Sequence, residues 1–175
     1  MKRFAILLVA VFAMLAFTAS AQKKGETSIG GNIGLGITSV GYEGYMNTGV
    51  TFSLAPELGY FIADNLKIGA GLEYSINSGI HSFAFMPNVS YYVRMVDNLY
   101  YVPSLAIGGG FLAQDSDVAG LFGFSLDLFA MEYKATKNFG FGASLVNLSY
   151  ALMGGIDSLN FSILTSPTVS FRYYF

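Results

Sequence analysis

The chain contains no cysteine and only one histidine among its 175 residues. Without cysteine it has no disulfide framework, no thiolate metal site and no attachment point for a lipoprotein anchor. The single histidine, His81, is followed by Ser82, and adjacent residues on a strand point to opposite faces. We therefore interpret His81 as a solvated loop residue rather than as half of a His–Ser catalytic pair.

Charged residues are also scarce, at 11% of the chain against about a quarter in ordinary soluble domains. The balance is slightly acidic, whereas a nucleic-acid partner requires a basic surface, so we predict no nucleic-acid binding. Hydrophobic residues make up 53% of the chain, yet beyond residue 21 no uninterrupted apolar run reaches the length of about 18 that a membrane helix needs. A closed β-barrel is the remaining way for such a chain to face lipid, because its backbone hydrogen bonds are made between strands.

The first 21 residues have the pattern of a cleaved signal peptide. Two basic residues precede the apolar run FAILLVAVFAMLAF, and TASAQ places Ala19 and Ala21 at the small-residue positions of a signal-peptidase site. The run is short for a full membrane span. We predict a signal peptide over residues 1–21, a new N-terminus at Gln22, and one domain over 22–175 with a formal charge of −4.

Eight segments of the mature chain alternate apolar residues with small or polar ones at a period of two. Each is long enough to cross a bilayer as a tilted strand of about 9–11 residues. The alternation continues to the carboxylate in the final VSFRYYF, so the chain end belongs to the last strand. We predict an all-β fold, an eight-stranded antiparallel transmembrane β-barrel. The segments lie near 26–38, 50–60, 66–77, 83–94, 99–110, 122–128, 139–145 and 159–175.

Two kinds of connection separate these segments. ADN, VDN and TKN are tight, and Asn and Asp suit such turns because they tolerate a left-handed backbone. The other connections, near 39–47, 78–82, 112–117 and 151–158, are expected to be longer. Short turns on one side and longer loops on the other are typical of outer-membrane barrels. An even number of strands then places both mature termini in the periplasm.

The face opposite the apolar residues is rich in Gly, Ser and Ala and indicates which side faces inward. An exposed soluble surface would carry roughly 25–35% charged residues, so small residues are better suited to the interior of a narrow barrel. A water-soluble, lipocalin-like carrier, with its apolar residues inside, is the opposite arrangement.

Six charged residues fall on the parity of the small residues. We predict that they form an ion-pair network in the lumen, because buried charges must be paired. Glu132 falls on the apolar parity and is expected outside, beside the tight turn. The predicted network residues are Glu57, Lys67, Glu73, Arg94, Asp127 and Arg172.

Four prolines occupy the apolar parity of predicted strands: Pro56, Pro87, Pro103 and Pro167. Proline removes a ladder hydrogen bond and prefers sheet edges or bulges, whereas a closed barrel has no edges. We therefore expect a bulge or a locally widened pairing at each.

These features together resemble the small outer-membrane β-barrel domain family of Gram-negative bacteria, described as porin-family or outer-membrane β-barrel proteins, in the style of its Bacteroidetes members. The resemblance rests on the leader, the alternating strands, the ADN and VDN turns opening into LKIGAGLEY and LYYVPSLAIG, and the final VSFRYYF. It implies outer-membrane lipid as the surroundings. It also implies that Phe171, Tyr173 and Phe175 form the C-terminal signal read by the barrel-assembly machinery.

Chemistry-bearing motifs are weak. Asp115 and Asp117 lack the rest of a twelve-residue calcium loop, and the glycines of GGNIGLG and IGGG lack the helix and lysine of a phosphate-binding loop. We predict no catalytic residue, cofactor or metal site, and a structural or surface-interaction role with an unidentified partner. The alternatives are a narrow conduit for water or small solutes and a lipid-modifying enzyme. The expected surface loops carry Tyr42, Glu43, Tyr45, His81, Asp115, Asp117 and Asp157.

Overall fold

A computed structural model describes most of residues 22–175. The backbone is described for residues 22–42, 45–114, 117–153 and 156–175, and the side chains of these residues are described outside 37–48 and 153–167. None of the described residues forms a helix long and apolar enough to cross a membrane.

Ten antiparallel strand segments build one sheet. Their bounds are β1 (Thr27–Tyr42), β2 (Tyr45–Ala63), β3 (Leu66–Asn77), β4 (Ile80–Tyr91), β5 (Val93–Val96), β6 (Leu99–Tyr101), β7 (Ser104–Gln114), β8 (Asp117–Lys134), β9 (Phe139–Met153) and β10 (Ile156–Tyr174). Segments β4 and β5 form one continuous arm, and β6 and β7 form the next, so the ten segments make eight strands. The order runs from β1 to β10 around the sheet, and β1 pairs with β10 to close it. The predicted eight-stranded antiparallel barrel is confirmed.

The two interrupted arms meet at Pro103. Proline has no N–H to donate, and the pairing of β4 with β7 stops at Ser90 and Ser104. Beyond that point Tyr92 N donates to Asn65 O at 2.8 Å, and Val102 N donates to Ala130 O at 2.8 Å. The backbone groups next to the break are therefore satisfied by neighbouring strands.

The other three prolines also lie where pairing with one neighbouring strand is incomplete, and a register shift accompanies Pro167. The β2–β3 pairs skip Pro56, and the β4–β7 pairs skip Pro87, without a change of register. Pro167 lies within a register shift between β9 and β10, after Ile163 and before Thr168.

The turns follow the predicted chemistry at one end of the barrel only. Asn65 and Asn98 have φ angles of 65° and 64°, the left-handed backbone that Asn tolerates. At the other end the strands extend into the segments expected to be loops, up to residues 42, 77, 114 and 153 and again from 45, 80, 117 and 156. The connection at 78–79 is shorter than predicted, and residues 43–44, 115–116 and 154–155 lie outside the described part of the chain. Polar and glycine-rich segments beyond the apolar band still pair their backbones, and Ser78 and Gly79, both with positive φ, form the type of hairpin turn that suits two twisted strands.

We name the two ends of the barrel by these features. The terminal end carries residue 22, the C-terminus and the turns after β2, β5 and β8, and the hairpin end lies where β1, β3, β7 and β9 end. The part of the interior from the terminal end up to the level of Glu57, Lys67, Glu132 and Arg172 is called the terminal half, and the part beyond them is called the hairpin half.

Large apolar side chains face outward around the barrel. Phe52 is 38% exposed, and Leu72 and Phe171 are each 45% exposed. The residues next to each of them along its strand face the other way and are buried or half-buried. This is the orientation of a transmembrane barrel and the reverse of a lipocalin-like carrier. The aromatic exceptions lie inside the terminal half, where Phe61, Tyr92, Tyr100, Val102 and Tyr174 form a buried cluster.

Candidate functional site in the barrel interior

Four charged side chains form a chain of ion pairs across the terminal half of the lumen. Lys67 Nζ on β3 donates a hydrogen bond to Glu57 Oε1 on β2. Arg172 Nη1 on β10 donates to Glu132 Oε2 on β8 at 2.9 Å, and Arg172 Nε lies 3.8 Å from Glu57 Oε1. Since β2 and β8 are opposite each other in the eight-stranded ring, the chain spans the barrel diameter. We call these four residues the lumen ion network.

Two tyrosines cover the Glu132 end of the network. Tyr174 OH donates to Glu132 Oε1, and Tyr92 OH donates to Glu132 Oε2 at 3.3 Å. The two hydroxyls are 3.1 Å apart. The edge of the Tyr92 ring packs against Phe61 with centroids 5.3 Å apart. The Glu132 carboxylate is therefore bound by Arg172 and by the hydroxyls of Tyr92 and Tyr174, and the ring of Phe61 packs against Tyr92.

The network is balanced in charge, with two acidic and two basic side chains. All four are buried or nearly so, with side-chain exposures between 0% and 12%. Taking such charges out of water costs several kcal/mol per ion unless good geometry and further hydrogen bonds compensate. Asn88 Nδ2 supplies one such bond by donating to Glu57 Oε2 at 3.3 Å. Because acidic and basic side chains alternate across the lumen, each charge stabilises the next one in place of water.

Glycines next to the network create the room for its long side chains. Gly30 lies in register between Glu57 and Arg172, and a Cβ added to it would lie 2.1 Å from the backbone oxygen of Phe171 and 2.8 Å from Arg172 Cγ. A Cβ on Gly140 would lie 2.6 Å from Glu132 Oε1. These distances are too short for a real side chain, so glycine at these positions sets the space for the ion pairs.

The sequence interpretation of Glu132 is wrong. Register shifts lie on either side of Phe129 in β8, and Leu128 and Phe129 are both exposed. A bulge of this kind sends two consecutive side chains to one face and reverses the parity of the rest of the strand. Glu132 therefore faces the lumen and is 1% exposed.

Of the six residues predicted for the network, Arg94 lies apart. Its side chain is 39% exposed and pairs with Asp97 at 2.5 Å within the turn after β5. Arg94 is at a position that faces inward, opposite buried Tyr100. It lies at the rim of the barrel, however, where water instead of the lumen ion network solvates its charge.

Asp127 and Glu73 lie in the hairpin half, away from the lumen ion network. Asp127 accepts hydrogen bonds from Ser104 Oγ at 3.0 Å, Ser144 Oγ at 2.7 Å and Asn147 Nδ2 at 2.9 Å. Glu73 also faces inward, and the two carboxylates repel each other. The structure thus divides the predicted charges into a balanced group near the terminal end and an acidic pair above it.

The first residues after the predicted leader close the terminal end, which the sequence did not indicate. Gln22 is fully buried. Its backbone N donates to Asn65 Oδ1 at 3.1 Å, and its side-chain Oε1 accepts from Lys134 Nζ at 2.7 Å. The same Nζ lies 4.0 Å from the centroid of the Tyr174 ring, a cation–π contact. Gly25 and Glu26 join the sheet by backbone bonds to Phe61.

His81 is in strand β4 rather than in a loop, because β4 begins at Ile80. Its Nδ1 is 2.7 Å from Tyr74 OH on the outer face, whereas Ser82 Oγ bonds with Ser75 Oγ inside. The expectation that His81 and Ser82 point to opposite faces is confirmed. The described residues contain no group of three or more His, Cys, Asp or Glu side chains arranged to hold a metal ion.

The C-terminal aromatics are exposed on the outer face of β10. Phe171, Tyr173 and Phe175 share one side of the strand, with the rings of the last two 6.0 Å apart. Phe175 N donates to Thr27 O, and Thr27 N donates to Phe175 O, so the last residue is held by the sheet. Their reading by an assembly machinery stays a prediction.

Several predicted residues lie outside the described part of the chain. They are Ala19, Ala21, Glu43 and Asp115, together with the side chains of Tyr42, Tyr45 and Asp157. Asp117 is described as the exposed first residue of β8.

Comparisons with known proteins identify the fold. No protein-family model and no curated protein matches the chain. Among solved structures, the N-terminal β-barrel domain of OprF from Pseudomonas aeruginosa is 12% identical, with a TM-score of 0.57 over 88% of this chain and 100% of that one. Neisserial surface protein A is 13% identical, with a TM-score of 0.51 over 86% and 98%. The outer membrane protein OprG from Pseudomonas aeruginosa is 11% identical, with a TM-score of 0.51 over 89% and 98%. At these identities the likeness concerns the fold, and the chain shares the fold of small outer-membrane β-barrels.

Proposed function

We propose that the protein is a non-catalytic, integral outer-membrane β-barrel with a structural or surface-interaction role. The observation that carries the proposal is the outward apolar wall, illustrated by Phe52, Leu72 and Phe171, around an interior crossed by ion pairs. Water cannot favourably cover such a wall, whereas acyl chains can. The fold shared with OprG, whose name describes an outer membrane protein, supports the same location.

In this proposal the protein is exported with residues 1–21 removed after Ala21. The terminal end faces the periplasm, because an even number of strands brings both mature termini to one side. The four hairpins then face the exterior and offer the surface for a partner. Phe171, Tyr173 and Phe175 serve as the signal for the barrel-assembly machinery.

Heat modifiability on gels tests the fold and the location together. A folded barrel from the outer-membrane fraction resists SDS and changes mobility when boiled, so we expect two bands that merge on heating. Recovery of the protein in the soluble periplasmic fraction, or one unchanging band, would contradict the proposal.

The lumen ion network supports a barrel that does not conduct. Eight strands leave an interior just wide enough for side chains to fill, and Glu57, Lys67, Arg172 and Glu132 extend across it. In planar-bilayer recordings we expect no stable unit conductance from the wild-type barrel. Reproducible unit steps would favour the conduit.

A narrow conduit is the second candidate because the hairpin half is lined by small polar groups. Asp127 and the hydroxyls of Ser104 and Ser144 form a hydrogen-bonded patch there, and Glu73 adds a second carboxylate. If the barrel conducts, this lining predicts a preference for cations over anions, which reversal potentials in a salt gradient measure.

A lipid-modifying activity has less support. His81 contacts the Tyr74 hydroxyl on the outer face rather than a serine. We expect lipid A to be unchanged in cells that overproduce the protein, as judged by mass spectrometry of extracted lipid. A modified lipid that disappears with His81→Ala would establish the enzyme instead.

A matched pair of variants tests the C-terminal signal. Phe175→Ala removes the last aromatic, and Phe141→Ala removes another exposed aromatic from the neighbouring strand β9. We expect Phe175→Ala to lower the amount of folded barrel in the outer membrane more than Phe141→Ala does. Equal yields would remove the signal role.

A further inference from the structure

The proposed leader cleavage would make Gln22 the first residue of the mature protein, and the structure buries that residue completely. Chain termini are normally exposed and poorly ordered. Here both the backbone and the side chain of Gln22 are hydrogen-bonded. Its backbone N donates to Asn65, and its side-chain Oε1 accepts from Lys134. The inference below rests on cleavage between Ala21 and Gln22.

A free N-terminus at this position creates an electrostatic conflict. Cleavage turns the Gln22 amide into an α-ammonium group, and burial of an unpaired charge is strongly unfavourable. Lys134 is already a buried cation at Gln22. Of the two carboxylates that attract it, Glu26 and Glu132, the second is bound by Arg172, so one carboxylate remains for two cations. A second cation beside Lys134 adds repulsion to the desolvation cost.

Glutamine is the residue whose side chain removes this charge by itself. We propose that Gln22 cyclises to pyroglutamate in the terminal end of the barrel once the leader has been removed. The neutral α-amine attacks the side-chain Cδ, the new N–Cδ bond forms, and the Cδ–Nε2 bond breaks. One amine proton passes to the leaving nitrogen, which departs as ammonia, and neither an oxidant nor a cofactor is required.

The contacts of Gln22 suit this reaction. Lys134 Nζ, 2.7 Å from Oε1, polarises the amide carbonyl and stabilises the negative charge that develops on its oxygen during attack. Asn65 Oδ1, 3.1 Å from the backbone N, accepts a hydrogen bond from the attacking nitrogen and orients it. α-Amino groups titrate at about pH 8 in water, so the neutral amine forms without a dedicated base.

The product fits the same contacts. A pyroglutamate ring keeps one N–H, which donates to Asn65, and one carbonyl oxygen, which accepts from Lys134. It carries no charge, so the burial observed for Gln22 no longer isolates a cation. Cyclisation therefore leaves the hydrogen bonds of the terminal end in place and removes its electrostatic conflict.

Intact-mass spectrometry of the undigested barrel, taken from outer membranes, tests the inference. We expect a chain that begins at residue 22 and is lighter by one ammonia than the encoded sequence 22–175. A chain that begins at residue 22 with a free amine overturns cyclisation and leaves the proposed cleavage intact. A chain that begins elsewhere overturns the cleavage and the inference with it.

A pair of lysine variants tests whether the barrel assists the reaction. In a pulse-chase of newly exported protein, Lys134→Met is expected to slow the loss of ammonia by about tenfold or more, as removal of an oxyanion donor does. Lys137→Met, in the neighbouring exposed turn, is expected to leave the rate unchanged. Equal rates in both variants would overturn the role of Lys134.

Wild-type protein provides the same comparison if Lys134→Met folds poorly. Freshly exported barrel extracted into urea loses the contact between Lys134 and Gln22, whereas barrel extracted into mild detergent retains it. We expect slower cyclisation in urea at the same pH and temperature. An equal or faster rate in urea would overturn assistance by the fold.

Discussion

Different kinds of side chain occupy the terminal half and the hairpin half of the barrel interior. In the terminal half, long charged side chains and aromatic rings extend inward from different strands and meet, as Arg172 on β10 and Glu132 on β8 do at 2.9 Å. In the hairpin half, serines and alanines alternate with glycines, and Asp127 is held by short hydroxyl side chains. Long charged and aromatic side chains therefore occupy the terminal half, whereas the described side chains that face inward in the hairpin half are mostly shorter.

Glycine serves two purposes in the interior. A Cβ on Gly140, in the terminal half, would lie 2.6 Å from Glu132 Oε1, so this glycine leaves room for a side chain. A Cβ on Gly110, in the hairpin half, would lie 1.8 Å from the backbone oxygen of Phe83 in the neighbouring strand. That glycine permits close approach of two backbones. The space that glycine provides is therefore occupied by a side chain at Gly140 and by backbone at Gly110.

The largest expected effect comes from breaking the filled half at its centre. Glu132→Gln leaves Arg172 buried without its closest carboxylate, and removal of one partner from a buried pair typically costs about 3–5 kcal/mol. We expect the unfolding midpoint in urea to fall accordingly in lipid vesicles, followed by gel mobility and circular dichroism, since the chain has no tryptophan.

Asp97→Asn is the matched control for Glu132→Gln. It breaks the Arg94–Asp97 pair, in which the Asp97 side chain is 92% exposed, and exposed pairs contribute little. We expect its midpoint to equal that of the wild type. A loss of similar size in both variants would remove the distinction between the network and the rim.

We expect the outer wall to be apolar and lipid-facing in both halves of the barrel, and a charge placed on the wall of the hairpin half tests this. Leu72→Arg introduces a charge on the lipid-facing side of the hairpin half, where Arg costs about 2–4 kcal/mol near the membrane centre. Leu72→Met, which keeps the residue apolar, is the control. If Leu72→Arg proves harmless in vesicles, the apolar wall does not face lipid at that height.

Glycines that leave room for the network are expected to resist substitution. Gly140→Ala inserts a methyl group against the Glu132 carboxylate, and overpacking of this kind costs about 1–3 kcal/mol. Gly120→Ala is the control, because a Cβ there meets nothing within 4 Å. Equal urea midpoints for the two variants would show that Glu132 moves aside freely and that Gly140 does not shape the network.

The strands were predictable because their side chains alternate cleanly between the two sides of the wall. Leu72, Glu73 and Tyr74 take their sides directly from period two, and the DN turns placed the ends of β2 and β5. Glu132 was assigned to the wrong face because a bulge leaves no sequence signature as clear as alternation. The one available signal was the pair Leu128–Phe129, two large apolar residues in succession just before the parity reverses.

The aromatic cluster of the terminal half was missed for a related reason. Tyr92 and Tyr174 fall on the small-residue parity, but their importance depends on reaching Glu132 across the lumen, and sequence spacing carries no information on contacts between distant strands. Gln22 was read as the cleavage product alone. Its burial depends on Lys134, which is 112 residues away.

The smallest expected effect belongs to the acidic pair of the hairpin half. Glu73→Gln removes the repulsion between Glu73 and Asp127 and leaves the three hydrogen bonds of Asp127 unchanged. We expect stability to stay the same or to rise by at most about 1 kcal/mol, because the variant removes one charge of a like-charged pair inside the lumen. The urea midpoint in vesicles measures this change.

A clear loss of stability in Glu73→Gln would mean that Glu73 is as tightly paired as Glu132, and the contrast between the two halves would fail. The same variant bears on conduction. If the wild-type barrel passes ions, removal of one of two carboxylates from the lining weakens cation preference, whereas Glu132→Gln acts on the constriction and raises conductance. Opposite effects of the two variants on conduction would show that Glu73 belongs to the lining of a conducting path and that Glu132 belongs to the constriction that closes it.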